Sequence, residues 1–254
     1  MTTPTIDLIH RHGSVRAYKP DQVPAETLEM IVAAGQRAST SSNLQMYSVV
    51  VVTDDQKRTR LMQLCGNQEH IVQAPVYMAW CADLSRLERV CDLQGYDNES
   101  DYMENLMLAV VDAALAMQNA ALAAESLGLG FCYIGGIRNH PSEVIELLKL
   151  PPLVFPICGM TLGWPVQPPR IRPRLPLGAV LHWESYDEAD EAQLRAYDRA
   201  MIETGIYADR QVDSDRGERP YADYGWMEHS ARRASQVHRA GLREALLQAG
   251  FEMK

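Results

Sequence analysis

The chain has 254 residues, 46% of them hydrophobic and 22% charged, a composition typical of a folded protein with a sizeable core. Its formal net charge of -9 argues against general binding to nucleic acid or to an anionic membrane, because both partners favour a basic surface. Five scattered cysteines without a CxxC pair, and an N-terminus unlike a signal peptide, indicate a cytoplasmic protein with reduced thiols.

The first part of the chain alternates predicted helices and strands. Apolar side chains at helical spacing predict a helix over 24–38, and a hydroxyl-rich turn follows at 39–43. A β-branched run at 47–53 is typical of a buried strand. A helix at 54–64 and a second strand at 75–82 come next.

The longest helical signal covers residues 98–127. Between 106 and 124 the strongly polar side chains are Asp112, Gln118 and Asn119. We reject a membrane span because alanine dominates the segment, because Asp112 is ionisable and because no basic flank is present. Since small alanine faces let another helix approach closely, we expect this helix to lie at a subunit interface.

The second part of the chain continues the same alternation into a C-terminal helical extension. The predicted strands are 131–134 and 154–162, and the predicted helices are 141–150, 188–204 and 228–250. A polar stretch near 208–225 is predicted to be a mobile loop. No linker divides the chain, so we expect one α+β domain over 1–254, with the extension starting at about 185.

Several common sites are missing from the sequence. His10 and His12 have no HxxxH, HExxH or Cys/His companions, so no metal site is predicted. The GxSxG elbow of serine hydrolases and the Walker A loop are absent, and Gly128-Leu129-Gly130 lacks the third glycine of a Rossmann fingerprint. A nucleotide-like ligand would therefore have to bind in another way.

Two arginine clusters stand out against the acidic background. They are Arg11-His12-Gly13-Ser14-Val15-Arg16 and Arg170-Ile171-Arg172-Pro173-Arg174. Each cluster alone is explained by a solvated surface, but fixed positive charge with a planar fork of donors also suits phosphate.

Two further segments have a structural and a functional interpretation. Gly135-Gly136 after a strand is either a tight turn or a place where a flat ligand approaches the backbone. The hydroxyl-rich turn either caps local backbone or supplies hydrogen-bond donors to a ligand.

Taken together, the motifs resemble the nitroreductase family of flavoproteins, in particular its NADPH-dependent oxygen-insensitive major nitroreductase and flavin reductase P group. The match covers nearly the whole chain. It is carried by the segments His12-Gly13-Ser14-Val15-Arg16, Cys65-Gly66-Asn67-Gln68-Glu69-His70, Ala123-Ala124-Glu125-Ser126-Leu127-Gly128-Leu129-Gly130, Tyr133-Ile134-Gly135-Gly136-Ile137-Arg138-Asn139, Leu162-Gly163-Trp164-Pro165 and Arg172-Pro173-Arg174-Leu175-Pro176.

The resemblance implies a nitroreductase-like α+β subunit with a central mixed or antiparallel sheet flanked by helices. It implies an intertwined homodimer with the long central helix at the interface, FMN as the bound cofactor, and NADPH or NADH as co-substrate. The FMN-binding positions that it implies are His12, Gly13, Ser14, Arg16, Thr40, Ser41, Ser42, Gln68, Ile134, Gly135, Gly136, Arg172 and Arg174.

By the same resemblance, Arg16 stabilises the negative charge of reduced flavin, and Gly135 and Gly136 lie against the flavin N5. Arg172 and Arg174 bind the phosphate, which joins the two arginine clusters into one site. No side chain is expected to act as a covalent nucleophile, since the flavin does the chemistry.

The sequence departs from the family pattern at three places. The family usually has arginine where Gly13 stands and often has lysine where Arg172 stands, and the 208–225 loop is poorly matched. Candidates for selecting NADPH through its 2′-phosphate are Arg138, Arg210, Arg216 and Arg219.

The function implied is an FMN-dependent NAD(P)H oxidoreductase that prefers NADPH and works by ping-pong hydride transfer. Its acceptors would be nitroaromatics, quinones, azo compounds, metal oxyanions or free flavin. Two alternatives stay open. One is a non-catalytic flavin-binding or carrier protein, to which the Gly13 departure gives room. The other is the same scaffold with different chemistry, such as reductive dehalogenation or flavin fragmentation.

Overall fold

The structure is a computed structural model that describes residues 2–99, 102–188 and 190–254. Its internal contacts divide the chain into two compact units. One, which we call the sheet unit, contains Met1–Pro169 and Arg239–Lys254. The other, which we call the helical unit, contains Arg170–His238.

Four antiparallel strands form the centre of the sheet unit. They are β1 (Tyr47–Val52), β2 (Val76–Asp83), β3 (Gly130–Ile134) and β4 (Val154–Gly163), in the spatial order β1-β2-β4-β3. Every residue of β2 is buried, as expected for a central strand covered on both faces. All four strands lie within one residue of their predicted bounds, and the α+β class with a central antiparallel sheet is confirmed.

Ten helices surround the sheet or build the helical unit within the described ranges. They are α1 (Pro4–His10), α2 (Ala25–Gly35), α3 (Asp55–Leu64), α4 (His70–Gln73), α5 (Ser85–Gln94), α6 (Met103–Ser126), α7 (Pro141–Leu148), α8 (Glu191–Glu203), α9 (Trp226–Ala234) and α10 (Leu242–Gln248). Helices α8 and α9 belong to the helical unit. Predicted helical positions 100, 101 and 189 lie outside the described residues.

Helices α1 and α5 were not predicted from the sequence. Neither contains a fully buried residue, although Leu87 of α5 packs against the core from a half-buried position. Local signals explain where α1 begins. The Thr3 hydroxyl oxygen accepts from the Ile6 backbone N–H at 3.3 Å, and Pro4 occupies the first helical position.

The single helix predicted over 228–250 is wrong, because the structure has two helices separated by residues 235–241. Within this break Arg239 has a φ of +54°, a left-handed conformation that cannot continue an α-helix. Gly241 then precedes α10. Apolar side chains at helical spacing on both sides of the break led to the prediction of one continuous helix.

The central helix α6 buries its alanine face inside its own chain. Ala109, Ala113, Ala116 and Ala120 are fully buried, and the face packs on α2 and β2. An added Cβ on Gly35 of α2 would lie 2.9 Å from the Ala116 carbonyl oxygen, so the two helices meet at close range. The alanines therefore serve packing within the subunit, and our reason for placing them at a subunit interface is wrong.

The opposite side of α6 carries larger apolar residues at a spacing of four. Met103, Met107, Val111 and Leu115 are between 45% and 57% exposed. By length and composition α6 could cross a membrane. Its packing on α2 and β2 is that of a core helix, and it leaves a separate apolar stripe on the surface of the chain.

The buried carboxylate of Asp112 connects α6 to the chain that enters the sheet. Its Oδ1 accepts from the Ser41 backbone N–H at 3.0 Å, and its Oδ2 accepts from the Met46 N–H at 3.1 Å. A buried carboxylate needs such donors. The one ionisable residue of the apolar stretch 106–124 thus positions the hydroxyl-rich turn.

Candidate functional site

The N-terminal arginine cluster lies along β3. The Val15 backbone N–H donates to the Phe131 carbonyl at 2.8 Å, and the buried Val15 side chain packs so closely on Gly130 that an added Cβ would lie 2.4 Å from it. The Tyr18 hydroxyl donates to the Val15 carbonyl at 2.7 Å. These contacts fix the backbone on both sides of Ser14 and Arg16.

The side chains of this cluster differ in whether they already have partners within the chain. His12 stacks on Phe131 with ring centroids 5.1 Å apart, and its Nδ1 lies 2.7 Å from a carboxylate oxygen of Glu125. Ser14 is exposed. Arg16 is half-buried, and its guanidinium has no hydrogen bond or ion pair within residues 2–99, 102–188 and 190–254. Arg16 therefore keeps all its donors for a ligand.

The hydroxyl-rich turn is held by its backbone rather than by its hydroxyls. Asp112 accepts the Ser41 N–H, as described above, and Ser42 adopts a φ of +47°. The side chains of Thr40, Ser41 and Ser42 form no hydrogen bond in the part of the chain that the structure describes. This favours the interpretation that the hydroxyls are available to a ligand over the interpretation that they cap local backbone.

The two glycines after β3 have different surroundings. A Cβ added to Gly136 would lie 2.4 Å from the Cys65 carbonyl oxygen and 2.9 Å from Gln68 Nε2. Gly136 is thus required by packing against the turn that carries Gln68. A Cβ added to Gly135 would meet only the ends of two arginine side chains, the nearer at 3.6 Å. Gly135 therefore leaves its backbone open on one side.

Sequence reasoning missed Arg239, which braces this turn. Its guanidinium donates to the Gly135 carbonyl at 3.1 Å and to Asn139 Oδ1 at 3.0 Å. No sequence motif marks Arg239, and its partners lie about a hundred positions earlier in the chain. The one local signal is Gly241, two residues later, which disfavours a continuous helix at this place.

The Arg138 side chain already has a hydrogen-bonding partner in the same region. Its guanidinium donates to the Ile157 backbone carbonyl in β4. This contact gives Arg138 a structural role at the end of the sheet, and it weakens the case for Arg138 as a residue that selects a nucleotide.

In the helical unit, the second arginine cluster meets the 204–210 turn. Arg170, Arg172 and Arg210 line one cavity of about 590 Å³, together with Ile171, Thr204, Gly205, Ile206 and Asp209. Arg174 instead donates to the Arg172 and Pro173 carbonyls, each at 3.3 Å. Three guanidinium groups around one cavity make an anion-binding surface.

The other two loop arginines lie near carboxylates. Arg219 Nε is 3.8 Å from Glu228 Oε1, and its backbone pairs with the Gln211 side chain at 2.7 and 3.0 Å. Arg216 lines a separate cavity with Asp215 and Glu228. Their positive charge is therefore partly neutralised, whereas the Arg210 cavity has three arginines against the single carboxylate of Asp209.

The buried thiol beside the Gly136 turn is unreactive. Burial raises the pKa of Cys65 to about 11, although its Sγ lies 3.6 Å from the Tyr77 hydroxyl. A protonated thiol is a poor nucleophile. Among the residues that the structure covers, no group of three or more His, Cys, Asp or Glu side chains could hold a metal ion.

The four-stranded antiparallel sheet flanked by helices, with a glycine turn at the end of β3, defines an α+β protein. Comparison with known proteins then gives the family. The chain belongs to the nitroreductase family: the family model matches residues 9–75 and 63–164, and the model of the family's C-terminal domain matches residues 172–254. The resemblance stated from the sequence is confirmed.

Relatives and solved structures cover nearly the full chain. An oxygen-insensitive NADPH nitroreductase of Salmonella typhimurium is 39% identical and covers 98% of both chains, and an FMN reductase [NAD(P)H] of Bacillus subtilis is 35% identical and covers 96% of both. The structure of B. megaterium NfrA2 matches at a TM-score of 0.91, with 34% identity over 100% of both chains. The NADPH:FMN oxidoreductase of Vibrio harveyi complexed with NAD+ matches at 0.87, with 32% identity over 99% of this chain and all of that one.

The two glycines of the turn give a matched pair of variants. Gly136→Ala is expected to lower the free energy of unfolding by about 1–3 kcal/mol, because the new methyl group overlaps the Cys65 carbonyl. Gly135→Ala, whose new Cβ would meet two arginine side chains at ordinary van der Waals distance, should change it by less than about 1 kcal/mol. Urea unfolding of both variants measures the difference, and equal destabilisation would contradict it.

Proposed function

We propose that this protein is an FMN-dependent NAD(P)H oxidoreductase that prefers NADPH and transfers two electrons to small acceptors such as nitroaromatics, quinones or free flavin. The observation that carries the proposal is the open side of Gly135, where a flat ring can reach the backbone that Arg239 braces. Full-length similarity to proteins named NADPH nitroreductase and FMN reductase supports it.

The residues of the sheet unit fit the chemical groups of FMN. The isoalloxazine ring needs a flat approach and a cation, which Gly135 and Arg16 offer. The ribityl chain needs hydrogen-bond partners, and the hydroxyls of Thr40, Ser41 and Ser42 have none within the described part of the chain. When bound, FMN would accept a hydride from NAD(P)H and pass two electrons to the acceptor.

The protein's own contribution is position and charge. Arg16 would stabilise negative charge on the ring, and its half-buried setting strengthens that effect relative to water. Glu125 orients His12, and the Cys65 carbonyl accepts a hydrogen bond from the Gln68 amide at 2.7 Å. Both side chains are therefore oriented before a ligand binds.

The proposed cofactor positions remain those implied by the resemblance. They are His12, Gly13, Ser14, Arg16, Thr40, Ser41, Ser42, Gln68, Ile134, Gly135, Gly136, Arg172 and Arg174. That the N-terminal cluster and Arg174 bind one ligand remains a prediction.

For nucleotide selection we favour Arg210 among the four candidate arginines. It shares its cavity with Arg170 and Arg172, whereas Arg138 donates to a backbone carbonyl and Arg219 lies near Glu228. The 2′-phosphate distinguishes NADPH from NADH, and several guanidinium groups around one cavity suit such a dianion.

The assembly proposed is a cytoplasmic homodimer in which the exposed stripe of α6 is covered by the partner. The stripe is Met103, Met107, Val111 and Leu115, an apolar row that a folded chain rarely leaves in water. Because the alanine face is already used inside the chain, this stripe is the side of α6 left for another subunit.

The test of the function is spectroscopic. Purified protein mixed with FMN and desalted should retain the flavin absorbance. Anaerobic NADPH should bleach it, and a nitrofuran or menadione should restore it. Protein that retains no flavin would contradict the proposal. Flavin that binds but is not bleached would favour the carrier alternative, and bleaching without reoxidation by these acceptors would favour different chemistry on the same scaffold.

Arg16→Ala should slow anaerobic flavin reduction roughly tenfold or more while leaving the fold intact, because a preorganised charge near the ring is lost. Stopped-flow absorbance measures the rate, and circular dichroism checks the fold. The matched control is Arg89→Ala, which removes an exposed arginine of α5. An unchanged rate in Arg16→Ala would remove the role assigned to Arg16.

Sedimentation at micromolar concentration tests the dimer. Wild-type protein should sediment as a dimer, and Met107→Glu should shift it toward monomer because a charge would be buried in an apolar contact. Leu93→Glu changes an exposed residue of α5 and should leave the dimer intact. A wild-type monomer would refute this assembly.

Arg210→Ala should raise the KM for NADPH about tenfold, the loss expected from one arginine–phosphate contact, and change the KM for NADH less than about twofold. Arg216→Ala serves as the control from the same loop and should change both values little. Steady-state kinetics with each nucleotide measure the two KM values and their ratio. A similar rise of the KM for both nucleotides in Arg210→Ala would show that Arg210 does not bind the 2′-phosphate.

A further inference from the structure

His229 of α9 contacts the segment that carries Arg210. Its imidazole stacks on the Tyr207 ring, with centroids 4.5 Å apart and planes inclined by 26°. Its Nδ1 lies 3.2 Å from the Tyr224 hydroxyl, and the Arg210 backbone is close enough to the ring to favour its protonated form. One side chain thus touches the segment on both sides of Asp209.

Tyr224 extends this contact further along the segment. Its ring is fully buried, and its hydroxyl oxygen accepts from the Val212 backbone N–H at 2.7 Å. Together, His229 and Tyr224 anchor the chain at residues 207, 210 and 212. We call residues 207–212 the Arg210 segment.

A buried arginine supports the same arrangement from α9. Arg232 Nη1 donates to the Val212 carbonyl at 2.9 Å, and its Nε donates to Glu228 Oε1 at 2.9 Å. Its guanidinium carbon lies 5.3 Å from the centre of the Tyr224 ring. Tyr224 and Arg232 therefore hold the far end of the Arg210 segment through the N–H and the carbonyl of Val212.

The hydrogen-bonding partners of His229 suit a neutral ring. Burial lowers the pKa of His229, and the positive charge of Arg233 lowers it further. A neutral imidazole has one donor and one acceptor. The Tyr224 hydroxyl can donate to Nδ1 of a neutral ring, and the other ring nitrogen then carries the hydrogen.

The Arg210 guanidinium itself has no hydrogen bond or ion pair within the described ranges, while its backbone is held by α9. It lines the 590 Å³ cavity with Arg170 and Arg172. A long side chain on a mobile loop would lose conformational freedom on binding an anion, and a fixed backbone reduces that loss.

We propose that His229 is a positioning residue for nucleotide selection, which holds the Arg210 segment so that Arg210 faces Arg170 and Arg172. The ligand class is the phosphate monoester that distinguishes NADPH from NADH. This inference rests on the proposed function, because that function gives the cavity its nucleotide.

The main variant is His229→Phe, which can keep the stack on Tyr207 and removes the hydrogen bond to Tyr224 and the polar ring beside the Arg210 backbone. Its KM for NADPH should rise about five- to tenfold, while kcat and the KM for NADH should stay within about twofold. Calorimetry should show the same loss of affinity for 2′-AMP, a probe that needs neither flavin nor turnover.

The matched control is His182→Phe in the same unit. The His182 ring lies 4.6 Å from the Tyr186 ring, and its Nδ1 accepts from the Asp187 N–H at 3.3 Å, so it also combines a tyrosine contact with a hydrogen bond. His182 does not line the 590 Å³ cavity that Arg210 shares with Arg170 and Arg172. Its nucleotide preference and 2′-AMP affinity should match those of the wild type.

A double-variant cycle tests the route of the effect. If His229 acts through Arg210, then His229→Phe added to Arg210→Ala should weaken 2′-AMP binding little beyond Arg210→Ala alone. Additive losses would overturn the inference, as would equal KM changes for NADPH and NADH. Should His229→Phe fail to fold by circular dichroism, His229→Gln and Tyr224→Phe give the same comparison.

The failure of the inference can be distinguished from the failure of the function. Wild-type protein that is not reduced by NADPH but binds 2′-AMP in a His229-dependent way would defeat the proposed function and support the positioning role. Wild-type protein that is reduced by NADPH but whose 2′-AMP affinity is unaffected by His229→Phe would defeat the positioning role alone.

Discussion

The sheet unit depends on one buried carboxylate. Asp112 sits in the middle of the long apolar helix and accepts two backbone N–H groups from the chain that leads into β1. Burying that charge is tolerable only because both oxygens are paired. The consequence reaches the candidate site, because the hydroxyl-rich turn is shaped through its backbone and its hydroxyls stay unpaired within the described chain.

The arginines divide into two groups by what their guanidiniums contact. Arg138, Arg232 and Arg239 donate to backbone carbonyls, in β4, at the end of the Arg210 segment and in the turn after β3 respectively. Arg16 and Arg210 have no hydrogen bond or ion pair from their side chains among the residues the structure covers. The first group gives the scaffold its rigidity, and the second supplies charge to a ligand.

The sequence predicted the strands and the family well because both depend on local patterns: β-branched runs bounded by glycine, and motifs in a fixed order. It failed where the cause is tertiary. Helices α1 and α5 contain no fully buried residue, and the break before α10 depends on the left-handed backbone of Arg239, which nothing in the local composition requires. The brace on Gly135 and the contacts of His229 join segments that periodicity does not relate.

The buried Cys65 has a consequence for the chemistry around it. Its carbonyl packs against Gly136, so the thiol belongs to the turn that lines the candidate site, yet its pKa of about 11 leaves roughly one molecule in ten thousand as thiolate at neutral pH. Quinones and partly reduced nitro compounds are electrophiles that alkylate thiolates. Such electrophiles would react slowly with Cys65, because its sulfur is buried and its thiol is almost entirely protonated.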